Sequence, residues 1–277
     1  MGQGERVTFK SDGAELVGER WGTGGPVLVF LHAGVCDRRS WYGVIERLDR
    51  GGTVLAYDRR GYGETPPAKG EFSHLDDLKV VLEQVTDAPV WLVGSSMGGG
   101  LALDCALVAP ERLAGMVLLS PSVSGAPEDA ELDADSLQLV RQLQALTDEN
   151  LTEANRLQTW LWLDGPAGPE GRVEGTAREL ALAMNAIILA NEVGTGGEDV
   201  GGSGVNAWSR LEEIRAATVV AYGERDLPMI VAACGQIAAR IPGALLEPLA
   251  GMAHLPYLED PAKVAALVKG AIWADYR

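Results

Sequence analysis

The pentapeptide Gly94-Ser95-Ser96-Met97-Gly98 fits G-x-S-x-G. It follows the short apolar run Val90 to Val93 and opens the helix-like stretch Met97 to Val108. A serine at a sharp strand-to-helix turn has its oxygen lifted clear of the backbone, and small residues at both ends let the helix pack closely behind it. Only Ser96 has glycine two residues before and two residues after it; Ser95 meets Met97 instead and has a supporting role at most. A serine hydroxyl is a weak nucleophile at neutral pH and needs a base within hydrogen-bond reach.

Three histidines are available. His74 begins the acidic helical stretch His74-Leu75-Asp76-Asp77-Leu78, where a solvated or capping role is expected. His32 directly follows the apolar run ending at Leu31, a position suited to bracing a loop. His254, in Gly251-Met252-Ala253-His254, follows the last expected strand, where a loop at the carboxyl edge of a sheet can bring it over Ser96. It is the expected base. Asp226, in Gly223-Glu224-Arg225-Asp226, also follows an apolar run and is the expected acid that orients the imidazole and stabilises its charged form, with Glu224 the nearest rival. An isolated aspartate after a strand is more often a turn former or cap, so its assignment rests on the ensemble.

These residues need a sheet with its carboxyl edge free, and the chain supplies the pattern of one. Val27 to Leu31, Thr53 to Tyr57, Val90 to Val93 and Gly115 to Leu119 are continuously apolar, as strands buried on both faces of a parallel sheet are. Helix-like stretches at Trp41 to Leu48, His74 to Val85 and Met97 to Val108 alternate with them. Val7 to Lys10 and Glu15 to Trp21 read as a hairpin through Ser11-Asp12-Gly13. The rhythm breaks from Pro121 to Ala207, which contains three amphipathic stretches (Asp135 to Leu146, Thr152 to Leu163, Thr176 to Glu192) and no evident strand. The glycine-rich span Gly194 to Gly204 reads as a loop without helical or strand preference. Strand Thr218 to Tyr222, a helix from Met229 to Ile241, strand Ala244 to Leu249 and a closing helix Pro261 to Ala274 complete the pattern. The expected organisation is an α/β core formed by residues 1–120 and 208–277, with a helical insertion at 121–207.

Composition is that of a folded globular chain: of 277 residues, 47% are hydrophobic and 22% charged. The net charge of -16 repels phosphate backbones and anionic lipid surfaces, which disfavours nucleic-acid and membrane roles. No apolar run approaches bilayer-spanning length and Met1 to Lys10 is polar, so a cytoplasmic location is the expectation. Cys36, Cys105 and Cys234 are scattered without metal-like spacing and are assigned no chemistry.

Leu31-His32-Ala33-Gly34, Asp58-Arg59-Arg60-Gly61-Tyr62-Gly63, Gly94 to Gly99, Gly223 to Asp226 and Gly251 to His254 together resemble the α/β-hydrolase superfamily over nearly the whole chain. The likeness is greatest to its small Ser-Met-Gly-Gly esterases and lactonases. The resemblance implies a mostly parallel sheet flanked by helices and an inserted helical cap over the nucleophile. It also implies an oxyanion hole made by the Gly34 and Met97 amides, although Ala33 stands where that family usually has glycine. Asp58 to Gly63 matches a family hallmark and reads as a structural turn. Trp160, Trp162 and Met184 are candidates to line an apolar pocket under the cap, with simple packing as the competing reading.

The function this implies is hydrolysis of a small ester or lactone through an acyl-enzyme, with no cofactor or metal. Carbon-carbon hydrolysis, perhydrolysis and thioester cleavage are alternatives on the same scaffold, and a non-catalytic small-molecule receptor is an alternative of another class. Leu255-Pro256 after His254 departs from the tryptophan usual in carbon-carbon hydrolases, and Ser96 departs from the aspartate of dehalogenases and epoxide hydrolases.

Overall fold

Glu5–Ser11 (β1) and Ala14–Trp21 (β2) pair antiparallel around Asp12-Gly13, both with positive φ, the backbone that Asp-Gly turns favour. The computed structural model containing this hairpin describes residues 4–48, 51–127, 132–146, 150–193, 196–201 and 204–273. Val27–Leu31 (β3), Thr53–Tyr57 (β4), Gly70–Phe72 (β5), Val90–Ser95 (β6), Leu113–Leu119 (β7), Gly197–Asp199 (β8), Ala217–Gly223 (β9) and Leu245–Leu249 (β10) follow. Eight of these form one sheet in the order β1-β2-β4-β3-β6-β7-β9-β10, parallel from β4 to β10. All five residues of β4 are buried, which explains why the run is continuously apolar rather than alternating.

The helices are Tyr42–Ile45 (α1), His74–Val85 (α2), Met97–Val108 (α3), Ala134–Gln144 (α4), Leu151–Thr159 (α5), Thr176–Glu192 (α6), Pro228–Arg240 (α7), Pro256–Glu259 (α8) and Pro261–Trp273 (α9). One face of the sheet is covered by Leu78 and Val81 of α2, Leu101 and Leu103 of α3 and Ile237 of α7. The other is covered by Trp41, Ile45 of α1, Tyr257 of α8 and Val264 and Val268 of α9. Successive strands run outward from β3 in both directions, to β4 on one side and β6 on the other. The crevice at their carboxyl ends is where ligands bind in open parallel sheets.

Between β7 and β9 lie α4, α5 and α6. Leu139, Leu157 and Leu161 from this region pack with Leu227 at the start of α7, so the insertion is joined to the core by apolar contact. After α5 the chain widens into one π-helical turn, Trp160–Asp164, closed by Gly165 with a φ of 85°. The glycine-rich span differs from its expected lack of structure: Gly197–Asp199 pairs parallel with Gly70–Phe72 in a second, two-stranded sheet. Strands of three residues, Gly-Glu-Asp and Gly-Glu-Phe, are too short to carry a periodicity by which either could be recognised. Residues 194, 195, 202 and 203 of that span lie outside the described residues.

Candidate active site

Ser96 has φ 52° and ψ -118°, outside the regions comfortable for an L-residue. Such strain costs about 1–3 kcal/mol and persists only where the surroundings over-determine it. Here they do. The Ser96 amide donates to the Leu119 carbonyl at 2.9 Å, and the Ser96 carbonyl accepts from the amides of Gly100 (2.9 Å) and Ser122 (3.0 Å). The flanking glycines are sterically required: a Cβ on Gly94 would strike the Gly98 carbonyl, and one on Gly98 would strike the carbonyls of Leu31 and His32. The turn therefore pushes the serine up while α3 packs against both β6 and the end of β3.

Asp226 and His254 are brought together by two loops that fasten to each other. The Arg225 amide donates to the Met252 carbonyl at 2.8 Å, and Gly223 passes so close to the Ala253 carbonyl that a Cβ there would collide with it. Asp226 Oδ2 then accepts from His254 Nδ1 at 2.7 Å, while its Oδ1 accepts from the Leu227 amide at 2.7 Å. Both side chains are buried. An imidazole with Nδ1–H engaged by a carboxylate leaves Nε2 as the basic atom. Glu224 is exposed and takes no part. Ser96 and His254 border the same cavity, and no direct hydrogen bond joins Ser96 Oγ to His254 in this structure; such contacts commonly tighten only with substrate bound.

The Gly34 amide has no hydrogen-bond partner among the described residues, and Met97 is the first residue of α3, whose amide has no intrahelical acceptor. The two positions touch: a Cβ on Gly34 would lie 2.6 Å from Met97 Sδ. Ala33 keeps a negative φ, so the glycine usual at that place is not needed.

The cavity over Ser96 has a volume of about 760 Å³ and walls that include Pro121, Val123, Trp162, Trp208, Met229 and Ile230. Trp162 also lies against His254, the ring centres 4.6 Å apart. Trp160 and Met184 are not among the cavity's lining residues. The Trp160 indole N–H donates to the Gly168 carbonyl at 2.9 Å. Met184 is wholly buried, its sulfur accepting from the Asp37 amide. Large apolar residues in helical stretches do not by themselves tell pocket from core. The sequence reading missed Trp208, Met229 and Ile230, which lie outside the insertion; a tryptophan beside the break in a polar segment was the available signal.

The other histidines are otherwise engaged. His32 is fully buried, its Nδ1 2.8 Å from the Ala33 carbonyl and its Nε2 accepting from the Arg59 amide at 3.1 Å. Burial, reinforced by the nearby Arg59 charge, holds it well below the usual histidine range. His74 is buried beside Phe72 and Tyr62 rather than solvated, and Ser73 supplies the cap of α2. Burial and the charges of Arg59 and Arg60 push it down to about 2, so it stays neutral. Asp58 accepts from the Arg38 amide at 2.8 Å and the Glu64 amide at 2.9 Å and pairs with the Arg38 guanidinium, a structural role. All three cysteines are free and buried.

One further group ties the region between β7 and β9 to the loop that bears His254. Arg172 donates to the carbonyls of Leu163 (2.8 Å) and Asp164 (2.6 Å) and pairs with Glu259 at 2.6 Å. Glu259 in turn accepts from the amide of Ala253, the residue before His254, at 2.6 Å.

A family model described as the alpha/beta hydrolase fold matches residues 26–261. The chain belongs to the α/β-hydrolase family. Among curated relatives of this hydrolase, a non-heme chloroperoxidase of Kitasatospora aureofaciens is 28% identical, covering 88% of this chain and 90% of the relative. A pimeloyl-[acyl-carrier protein] methyl ester esterase of Aromatoleum aromaticum is 27% identical over 89% and 98%. An esterase from a Rhodococcus species superposes with a TM-score of 0.76 at 23% identity, covering 98% of each chain, a likeness of fold. Among the described residues of the hydrolase, no helix is long and apolar enough to cross a membrane.

Proposed function

We propose that this hydrolase cleaves small carboxylic esters or lactones through an acyl-enzyme on Ser96. The observation that carries the reading is the buried His254–Asp226 pair at 2.7 Å, with His254 and the strained Ser96 bordering one largely apolar cavity. His254 Nε2 takes the Ser96 proton as Oγ attacks the carbonyl, and Asp226 stabilises the imidazolium. The Gly34 and Met97 amides receive the oxyanion. His254 then returns the proton to the departing alcohol, and water activated by the same imidazole cleaves the acyl group. No metal or cofactor enters these steps. Residues 121–207 act as a cap whose Trp162 closes one side of the site. The relatives' printed names, a methyl ester esterase among them, support ester chemistry without selecting a substrate.

The test is end-point labelling with a fluorophosphonate and identification of the modified residue, run beside a panel of p-nitrophenyl esters, simple lactones, acyl thioesters and vinylogous diketones. Labelling of Ser96 with turnover of esters or lactones is expected. Labelling of a different serine would overturn the site. Preference by orders of magnitude for thioesters or diketones would replace the ester reading, and binding without any turnover would make the protein a receptor.

A further inference from the structure

Arg59 is 2% exposed, yet no carboxylate pairs with it among the described residues. Every other buried arginine of this region has one: Arg38 has Asp58 and Arg60 has Asp77. A buried cation without a counter-charge is costly, and its persistence asks for a reason. Its surroundings give one. Nη2 donates to the His32 carbonyl at 3.1 Å and to the Ala33 carbonyl at 3.2 Å, and the guanidinium lies over the Tyr62 ring, 4.6 Å from its centre. Nε finds no partner.

The Ala33 carbonyl and the Gly34 N–H are the two ends of one peptide unit. At its oxygen that unit accepts both Arg59 Nη2 and His32 Nδ1, while at its nitrogen it has no partner. Hydrogen bonds received at a carbonyl polarise the amide and make its N–H a stronger donor. We propose that Arg59 is a positioning residue for the reaction, its unpaired charge polarising the Ala33–Gly34 peptide and fixing its N–H toward the oxyanion. This rests on the acyl-enzyme reading above. The charge is itself buried against the peptide unit that would receive the oxyanion, where fixed charges act with little screening.

Other charged or titratable groups face Arg59 from each packed element. They are His32 after β3, Cys36 in the following loop, Tyr57 of β4, Tyr62 in the next turn and His74 of α2. Asp104 of α3 and Asp199 of β8 border, with Arg59, a cavity of about 220 Å³.

The experiment compares Arg59→Lys, Arg59→Gln and Arg59→Met with the full-length wild type on p-nitrophenyl butyrate, and measures inhibition by benzeneboronic acid, which becomes a tetrahedral anion on the serine. Gln and Met should lower kcat by roughly ten- to a hundredfold with KM within about threefold, and weaken the boronate by a similar factor, short of loss of a whole oxyanion donor. Lys should retain most of kcat near pH 7. A buried ammonium loses its proton more readily than a solvated one, so the Lys variant should show an alkaline fall in kcat absent from the wild type. That limb is read in a charge-retaining variant and stands even if the neutral variants do not fold. A Lys profile parallel to the wild type's, or neutral variants with unchanged kcat and boronate affinity, would overturn the proposal. Fluorophosphonate labelling at end point separates the two levels: no labelling of wild-type Ser96 sinks the acyl-enzyme reading, whereas labelled Ser96 with indifferent Arg59 variants sinks this inference alone.

Discussion

The two flanks of Ser96 are built from different materials. On the β3–β4 flank, His32, Arg38, Asp58, Arg59, Arg60 and Asp77 are all buried polar groups, joined by bonds that fix one arrangement. On the β7–α7 flank, Pro121, Val123, Trp208, Met229 and Ile230 make a wall with few polar atoms. A buried polar group is costly once its partner is removed, so changing one member of such a set strands the group bonded to it. An apolar wall tolerates changes of shape at modest cost. The difference predicts that a substitution on the first flank costs more stability than one on the second, which instead reshapes the cavity.

The largest effect belongs to the junction of the two. Ser96→Ala and His254→Ala should each lower kcat on p-nitrophenyl butyrate by at least about a thousandfold with the fold intact. His74→Gln, a neutral replacement for an already neutral imidazole, should stay within about tenfold. Equal losses at His74 and His254 would erase the assignment of the base.

Next comes the polar flank itself. Asp58→Ala takes one of three carboxylates from Arg38, leaving Glu19 and Glu64, and strands the Arg38 and Glu64 amides that donate to it, which should cost about 2–4 kcal/mol in urea unfolding. A comparable cost at Trp208→Ala would break the contrast. Trp208 is half-buried in the opposite wall, and its truncation should lose about 1–2 kcal/mol while opening the cavity. The expected readout is a rise of about tenfold in the octanoate-to-butyrate ratio of kcat/KM.

The smallest effect sharpens the comparison through pH. Asp104 sits behind the polar flank, its carboxyl raised to about 6 by burial, with the Ser124 hydroxyl at 2.6 Å drawing it partly back. A carboxyl whose folded value exceeds its unfolded one favours the folded state fully below about pH 4, and that contribution is lost as pH rises through about 6. Asp104→Asn should therefore gain about 1 kcal/mol of stability relative to the wild type as pH rises from about 4 to 7, read as a widening difference in Tm. Parallel Tm profiles would show the carboxyl to be freely hydrated.

What the sequence disclosed followed from local rules. Gly94 and Gly98 mark the elbow because backbone must pass where a Cβ cannot. The uninterrupted apolar run of β4 declares burial on both faces. The expected hairpin, parallel strands and helices of the core are present with bounds shifted by a few residues, apart from the span Trp41 to Leu48. It folds as a 3-10 turn, Arg38–Trp41, and the single short helix α1. Hidden from sequence were facts that depend on distant partners. His74 reads as a solvated helix start but is covered by Phe72 and Tyr62. Arg59 reads as one of two adjacent arginines in a structural turn, and nothing local tells that its neighbour has a carboxylate and it does not. Of Trp160, Trp162 and Met184 only Trp162 lines the cavity: Trp160, two residues away on the same turn, bonds the Gly168 carbonyl, and Met184 is packed in α6 against the Asp37 amide.

The Arg172–Glu259 pair has a consequence for how this enzyme can diversify. Through it, the inserted helices and the loop bearing His254 share one clasp, so the insertion is not a free-standing module. Recombining the core with another family member's insertion would discard the clasp and slacken the base, unless the newcomer brought its own arginine to the same place. Single substitutions along the apolar wall leave that clasp in place.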